Sequence, residues 1–351
     1  MAIFPNASNW ENEFLALRAQ RAEGYYYETP IRLAPVGLLH IFEGQARFIQ
    51  LQYLSFARGG MTLREAREAK LLDGEYGKAF SIFLMMTKSD EPKYIDDPLV
   101  ALFMLICDLS VNPTAGFPSQ ITDFHSFYLD VDPGVRFAFL CRAVATHHPK
   151  LCTSIKSYSR DEYLEAVSLL SDACGYEAPM RALELIAGWE TKQSEISRLM
   201  EEHRTFEFGP PNLVIRVLLA EFIEFCKDKL QRPEFFCWAG AWLAGTRGGE
   251  IESQLWLKHL SLYSDKENDD GIFARAIHGR SKKAILRTFN NFYVANTMYD
   301  MTKQWVLDSG AFEVSYRWLT TTIPEEVFGA ATKEIFKKQF GVNADDFQIV
   351  R

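Results

Sequence analysis

Six helix starts are written into this chain, and they limit its fold more than any other feature. Ser8 with Glu11, Thr62 with Glu65, Ser159 with Glu162 and Thr322 with Glu325 each fit the S/T-x-x-E capping box. In that box the two side chains satisfy backbone N–H groups that a first turn leaves unpaired. Asp97-Pro98 and Asp132-Pro133 add two more starts, each an acceptor at the N-cap followed by a residue with no N–H to strand. Between these signals apolar residues recur at spacings of three and four. Leu38, Phe42, Ile49, Tyr53 and Phe56 form one stripe, and Ile285, Phe289, Phe292, Tyr299 and Val306 form another on a helix expected from Ser281 to Leu307. Both stripes are expected to bury against other helices. Alternation of strand type is confined to "GYYYETPIRL", "FYLDVD" and "FQIV". The expected fold is therefore mainly α, built as stacked helical hairpins or an irregular bundle, with at most minor β.

A chain of 351 residues that is 48% hydrophobic can bury a full core without metal or disulfide. "HRTFEFGPPN" breaks the helical period after the polar segment "ETKQSEISRLMEEH", which divides the sequence into helical domains at 1–205 and 211–351. Cys107, Cys141, Cys152, Cys174, Cys226 and Cys237 form no C-x-x-C pair and read as reduced thiols, mostly in the core. The opening "MAIFPNASNW" lacks a basic stretch followed by an apolar one, so no secretory leader is expected. The longest apolar run, Leu99 to Cys107, is about half of what spans a bilayer. No membrane partner and a cytoplasmic location follow as expectations. The net charge of −8 argues against a role on nucleic acid except at a local basic patch.

One spacing occurs twice. Tyr76, Ala79, Phe83, Met86 and Pro92 stand at the same offsets as Tyr163, Ala166, Leu170, Ala173 and Pro179. A small residue where helices cross, a bulky one a turn later and a chain breaker at the end suit the closing helix of a hairpin. The pattern resembles the second helix of a tetratricopeptide hairpin, and Gly74-Glu75-Tyr76 matches that family's opening. The segment "TLREAREAKLLD" has the length of the family's first helix, with Arg67 and Lys70 where the family shows Gly and Tyr. The resemblance implies a curved stack that presents a surface to a peptide or protein; the plain alternative is two amphipathic helices that end at Pro.

Four stretches carry side chains suited to chemistry. Arg142 to His147, "RAVATH", fits an Arg-x4-His element that resembles the motif of HEPN ribonucleases, whose Arg binds the scissile phosphate while His moves a proton. Arg198 to His203 fits the same spacing, and the structural alternative sets His147 and His148 at a helix C-terminus, where the dipole favours them. Asp123, His125, Asp130 and Asp132 cluster in "DFHSFYLDVDPG", but Asp132 already has work as an N-cap, so no metal is expected. Arg247 lies among glycines ahead of a helix start that could receive an anion. The order Arg247, His278, Arg280, Tyr299 is similar to that of tyrosine recombinases, with a His-x-Arg where they carry His-x-x-Arg. Arg275, His278, Arg280, Lys282, Lys283 and Arg287 form the most basic stretch, with Phe289, Phe292 and Tyr293 beside them. Such a stretch offers an anion, RNA or partner site, or else a solvated face whose aromatics point inward.

The sequence holds no P-loop, no G-x-G-x-x-G after a strand, no H-E-x-x-H and no G-x-S-x-G. No cofactor is expected. The function expected is a protein-binding adaptor or scaffold. The alternatives are a metal-independent ribonuclease using Arg142 and His147, with RNA held at 275–287, and a binder of a small anionic ligand at Arg247 and Arg280.

Overall fold

The structure, a computed structural model, describes residues 36–118, 127–209, 211–266, 269–277, 279–307, 314 and 323–346. Its helices, numbered in chain order, begin with α1 (Leu38–Arg58), α2 (Leu63–Glu68), α3 (Glu75–Thr87), α4 (Pro98–Val111), α5 (Phe127–Val131) and α6 (Pro133–Thr146). After a 3-10 turn at Pro149–Thr153 come α7 (Arg160–Cys174), α8 (Pro179–Ala187), α9 (Trp189–Lys192), α10 (Ser194–Thr205) and α11 (Leu213–Gln231). Then follow α12 (Pro233–Cys237), α13 (Ala239–Trp242), α14 (Glu250–Lys258), a hairpin of β1 (Tyr263–Lys266) and β2 (Asp269–Ala274), α15 (Lys282–Leu307) and α16 (Glu325–Phe340). The fold is mainly α, and the antiparallel hairpin is the one sheet among the described residues. Among these residues no helix is long and apolar enough to cross a membrane.

The chain divides into two compact units, Met1–Gly188 with Cys226–Gln254, and Trp189–Phe225 with Leu255–Arg351. It crosses between them after Gly188, Phe225 and Gln254, so α11 and α14 each contribute to both, and the Gly209-Pro210-Pro211 break lies within the second unit.

Most of the written helix starts take the structure their chemistry dictates. Thr62 and Ser159 accept from the N–H groups of Glu65 and Glu162 at 3.1 and 3.2 Å, and both glutamates reach back to the N-cap N–H. Asp97 and Asp132 cap α4 and α6 from the N–H groups of Leu99 and Val135 at 2.9 and 2.8 Å. Near the C-terminus, α16 opens at Glu325 behind Pro324, later than a box on Thr322 would place it. Ser8, Thr322 and the strand-like "GYYYETPIRL" and "FQIV" lie outside the described residues. "FYLDVD" contributes the helix α5 rather than a strand, because a six-residue alternation cannot by itself separate the two periods.

Proline does different work than the repeated spacing suggests. Pro179 stands at the first position of α8, and α7 ends earlier, at Gly175 in the left-handed region with φ 70°. Likewise α3 ends at Lys88, φ 57°, ahead of Pro92. The small residues behave as the spacing requires: Ala79 and Ala166 are 0% and 1% exposed. A Cβ built on Gly44 of α1 would touch that of Ala79 at 3.4 Å, so α3 crosses α1 there. The segment before α3 forms just the short α2, closed by Lys70 at φ 58°.

The first unit is organised around α4, whose residues Leu99 to Ser110 are all buried. Helices α1, α6, α7 and α12 pack on it, which is why its run is apolar on every side. Phe103 of α4 meets Phe80 and Phe137 edge-to-face and Phe83 at a tilt, and the Phe48 and Phe80 centroids lie 4.6 Å apart, also tilted. Trp238 is fully buried, donates to the Ala101 carbonyl at 3.0 Å and meets the rings of Tyr158 and Tyr163 at 5.7 and 5.9 Å. The buried Arg136 guanidinium donates to the carbonyls of Leu109 and Asp130 at 2.8 Å each, so that a cation closes the end of α4 where carbonyls lack helical partners.

One carboxylate sits within this core. Asp108 Oδ1 meets Lys229 Nζ of α11 at 2.6 Å, and Asp108 Oδ2 accepts from the Tyr163 hydroxyl of α7 at 2.9 Å. Asn112 Nδ2 donates to Oδ1 at 3.2 Å. Burial, then the Asp108 charge, push the Tyr163 phenol well above its ordinary range. Three helices are thereby tied at one buried charge pair.

The α1 stripe is split: Ile49 and Phe56 are half-buried against the core as expected, but its other members face outward. Leu38, Phe42 and Tyr53 are 46%, 49% and 46% exposed, while Ile41, Gly44, Phe48, Leu51, Gln52 and Ser55 are buried. The reason is close approach: the buried arc contains the small positions that admit neighbouring helices. At the crossing with α13, a Cβ on Gly240 would lie 2.1 Å from the Ile49 carbonyl oxygen. Gln52 and Ser55 are buried with their side-chain polar atoms unpaired. Replacing Gln52 by Met, apolar and of similar length, should therefore raise stability by about 1 kcal/mol in urea unfolding, since an unpaired buried amide is worse than an apolar isostere. All six cysteines are free; Cys107, Cys141, Cys226 and Cys237 are buried and Cys152 and Cys174 half-buried.

Candidate functional site

The second unit gathers charge at α10, α11 and the turn before α15. His203 is placed by the last turn of α10, which closes at Phe206 in the left-handed region, φ 56°. Glu221 follows Val217 by one turn of α11, and Arg280 lies two residues before α15. His203 Nε2 lies 2.9 Å from Glu221 Oε1 and 3.0 Å from Arg280 Nη2, and Arg280 Nη1 lies 3.5 Å from Glu221 Oε1. The Arg280 guanidinium carbon sits 4.4 Å from the centre of the Phe206 ring. Arginine only donates, so Nε2 accepts from Arg280 in one tautomer and donates to Glu221 in the other.

Burial works to raise the Glu221 carboxyl, but the His203 hydrogen bond and the charges of His203 and Arg280 outweigh it and hold the group below its ordinary value. Burial lowers the Arg280 guanidinium, opposed by Glu221. With the His203 side chain 5% exposed and its Nε2 taken up by partners, the cluster locks three segments together and presents no open base. The lock has a pH signature. A carboxyl whose folded value is depressed stabilises fully above its ordinary value and loses that contribution as pH falls through the folded one. Glu221→Gln should cost about 1–2 kcal/mol at neutral pH, and the gap to wild type should close as acid unfolding is followed below pH 4.5.

Beside the lock, Phe206, Val217, Tyr263, Thr288, Phe289 and Phe292 line an apolar cavity of about 10 Å³, room for one water. Phe289 and Phe292 face Tyr263 with centroids 5.6 and 5.4 Å away, so these aromatics point inward and are not a stacking platform. The basic stretch is largely spoken for. Arg275 Nε donates to the Ser261 carbonyl at 2.9 Å, Arg287 pairs with Glu207 at 3.3 Å, and Arg280 is in the lock. Lys282 and Lys283 are exposed, and His278 lies outside the described residues. The α15 stripe buries Ile285 but leaves Tyr299 69% exposed, the buried face moving to Tyr293, Met298 and Met301.

The remaining candidates belong to the first unit and do not converge. Arg142 is exposed on α6, where its carbonyl accepts from Thr146 Oγ1 at 2.8 Å. His147 is the exposed C-cap of that helix, its N–H bonded to the Ala143 carbonyl at 2.9 Å. The Arg247 guanidinium carbon lies 5.3 Å from the ring centres of both Phe56 and Tyr158, which meet each other edge-to-face. Arg247 and Arg280 fall in different units. Asp123 and His125 lie outside the described residues, Asp132 caps α6, and among the described residues no His, Cys, Asp and Glu group is arranged to hold a metal.

The surface of α11 carries a signal the sequence reading missed. Between Leu213 and Leu230 its exposed residues are Ile215, Leu218 and Phe222, at 64%, 54% and 37%. Every exposed position on eighteen residues of helix is thus apolar. The polar residues around them are engaged: Arg216 with Glu202 at 2.5 Å, Glu221 in the lock and Lys258 with Glu224 at 2.7 Å. In sequence Arg216, Glu221 and Glu224 alternate with the apolar residues of this helix, so spacing could not show that these charges are engaged while Ile215, Leu218 and Phe222 face outward. No family model matches the chain, and no curated protein or solved structure matches it.

Proposed function

We propose that this chain is a protein-binding adaptor that docks a helix of its partner on the open face of α11. The observation that carries this is the spacing of Ile215, Leu218 and Phe222 along α11, with Ile215 and Leu218 more than half exposed and Phe222 37% exposed beside them. Positions i, i+3 and i+7 are the anchor pattern of helix-on-helix recognition, and a solvated helix face is ordinarily charged. Covering three half-exposed side chains contributes roughly 3 kcal/mol at about 25 cal/mol per Å². The lock behind them fixes α11 before binding, which reduces the ordering cost of association. Buried Ala79 and Ala166, at the spacing shared with tetratricopeptide hairpins, fit a scaffold of packed helices.

The ribonuclease reading has less behind it, since Arg142 and His147 are both exposed, the one on α6 and the other as its C-cap. The anion-pocket reading has less too, because Arg247 and Arg280 are each already stacked on rings. Affinity capture with wild type and Leu218→Asp in parallel tests the proposal. A partner recovered in near-stoichiometric amount with wild type should fall at least tenfold with the variant. Equal recovery with both, or cleavage of RNA in EDTA that His147→Ala abolishes, would overturn it.

A further inference from the structure

The exposed face of α1, in the first unit, poses a separate question. From Leu38 to Ala57 its exposed residues are Leu38, Leu39, Phe42, Ala46, Gln50, Tyr53 and Ala57, and none is charged. Leu39 is 62% exposed. The residues from Leu39 to Ala57 form one straight stripe, since spacings of three and four average to the helical period. A polar helix would show Lys or Glu here.

We infer that this stripe is a self-complementary surface on which a second copy of the chain packs, α1 against α1 in antiparallel sense. The order of large and small residues supplies the argument. A two-fold axis passing between Ile49 and Gln50 sets Phe42 opposite the partner's Ala57, and Ala46 opposite the partner's Tyr53. Each ring then meets a methyl-sized neighbour, twice over, as an isologous contact requires. Charge agrees. Glu43 at one end comes within a helical turn of the partner's Arg58 at the other, and the axis repeats that pair, so opposite charges meet on the rim while none is buried.

Area sets the strength. A stripe of roughly 27 Å by about 10 Å buries well under the ~800 Å² per partner of a stable interface. The dimer is therefore a weak, transient one. Its surface belongs to a different unit from the α11 face, so either can fail without the other.

Sedimentation velocity of the full chain from about 1 µM to about 200 µM tests this. Wild type should move from monomer to dimer. Phe42→Glu should shift the midpoint upward more than tenfold. The exchange Phe42→Ala with Ala57→Phe should restore association that Phe42→Ala alone weakens, which only the stated register explains. Under mild oxidation, Gln50→Cys, beside the axis, should give a covalent dimer far faster than Leu38→Cys. These positions are exposed, and circular dichroism confirms that each variant folds. A wild type that stays monomeric throughout overturns the inference, whether another protein or the chain preceding Val36 covers the stripe. Dimers that persist in Phe42→Glu, or an exchange that restores nothing, overturn it as well.

Discussion

Asp108→Ala is expected to be the most destabilising single substitution in this protein, costing about 3–5 kcal/mol in denaturant unfolding. Asp108 lies near the end of a helix that is buried on all sides, and its side chain is 6% exposed. Removing the carboxylate takes from Lys229 Nζ its partner at 2.6 Å and from the Tyr163 hydroxyl its acceptor at 2.9 Å. Lys229 is 5% exposed and cannot regain water where it stands. Against a typical total of roughly 5–15 kcal/mol, such a loss is enough to melt the first unit near body temperature. The paired change Asp108→Leu with Lys229→Met removes both charges and should recover at least half of the loss. Equal damage from the single and paired changes would mean that packing, and not a stranded charge, sets the cost.

Gly240→Ala is the second large effect, and its sign is diagnostic. In an open helix that change stabilises by about 0.5–1 kcal/mol, because Gly loses more backbone freedom on folding. Here the new Cβ would sit 2.1 Å from the Ile49 carbonyl oxygen and 2.9 Å from the Tyr53 nitrogen, both backbone atoms of α1. Neither can swing aside, so α13 must lift off α1, at about 3 kcal/mol or more. The lift would also loosen the adjacent Trp238, which ties α12 and α13 to α4 through Ala101. Thermal unfolding should show a large fall in midpoint. An unchanged or raised midpoint would mean that α13 does not approach α1 as closely as described.

Legibility followed the range of the interaction. Thr62, Asp97, Asp132 and Ser159 act on N–H groups two or three residues away, so their helices could be read directly. The helix over Lys282–Leu307 was legible for the same reason. Asp108 and Lys229 stand 121 residues apart, and in sequence Asp108 only marked the end of an apolar run. Which face of α1 is buried depended on Gly44 and Gly240, whose contribution is an absence of side chain that no hydrophobic count registers. The hairpin of β1 and β2 was missed because "SDKENDDG" reads as a charged loop; it pairs through backbone groups, with Tyr263 opposite Ala274. At the candidate site, His203 and Arg280 belong to sequence motifs, while Glu221 between them is one of several charged residues on α11 with nothing in the sequence to single it out. Pro179 misled because the same residue that ends one helix equally well begins the next.

On the proposal made above, a partner's helix lies along the outward face of α11. Hydrogen exchange over the peptide covering residues 213–225 measures this most directly, in the free chain and in the chain carrying its captured partner. Exchange over that peptide should be at least tenfold slower in the complex, with no such slowing in Leu218→Asp mixed with the same partner. A partner that binds in full while the peptide exchanges at its free rate would contradict it.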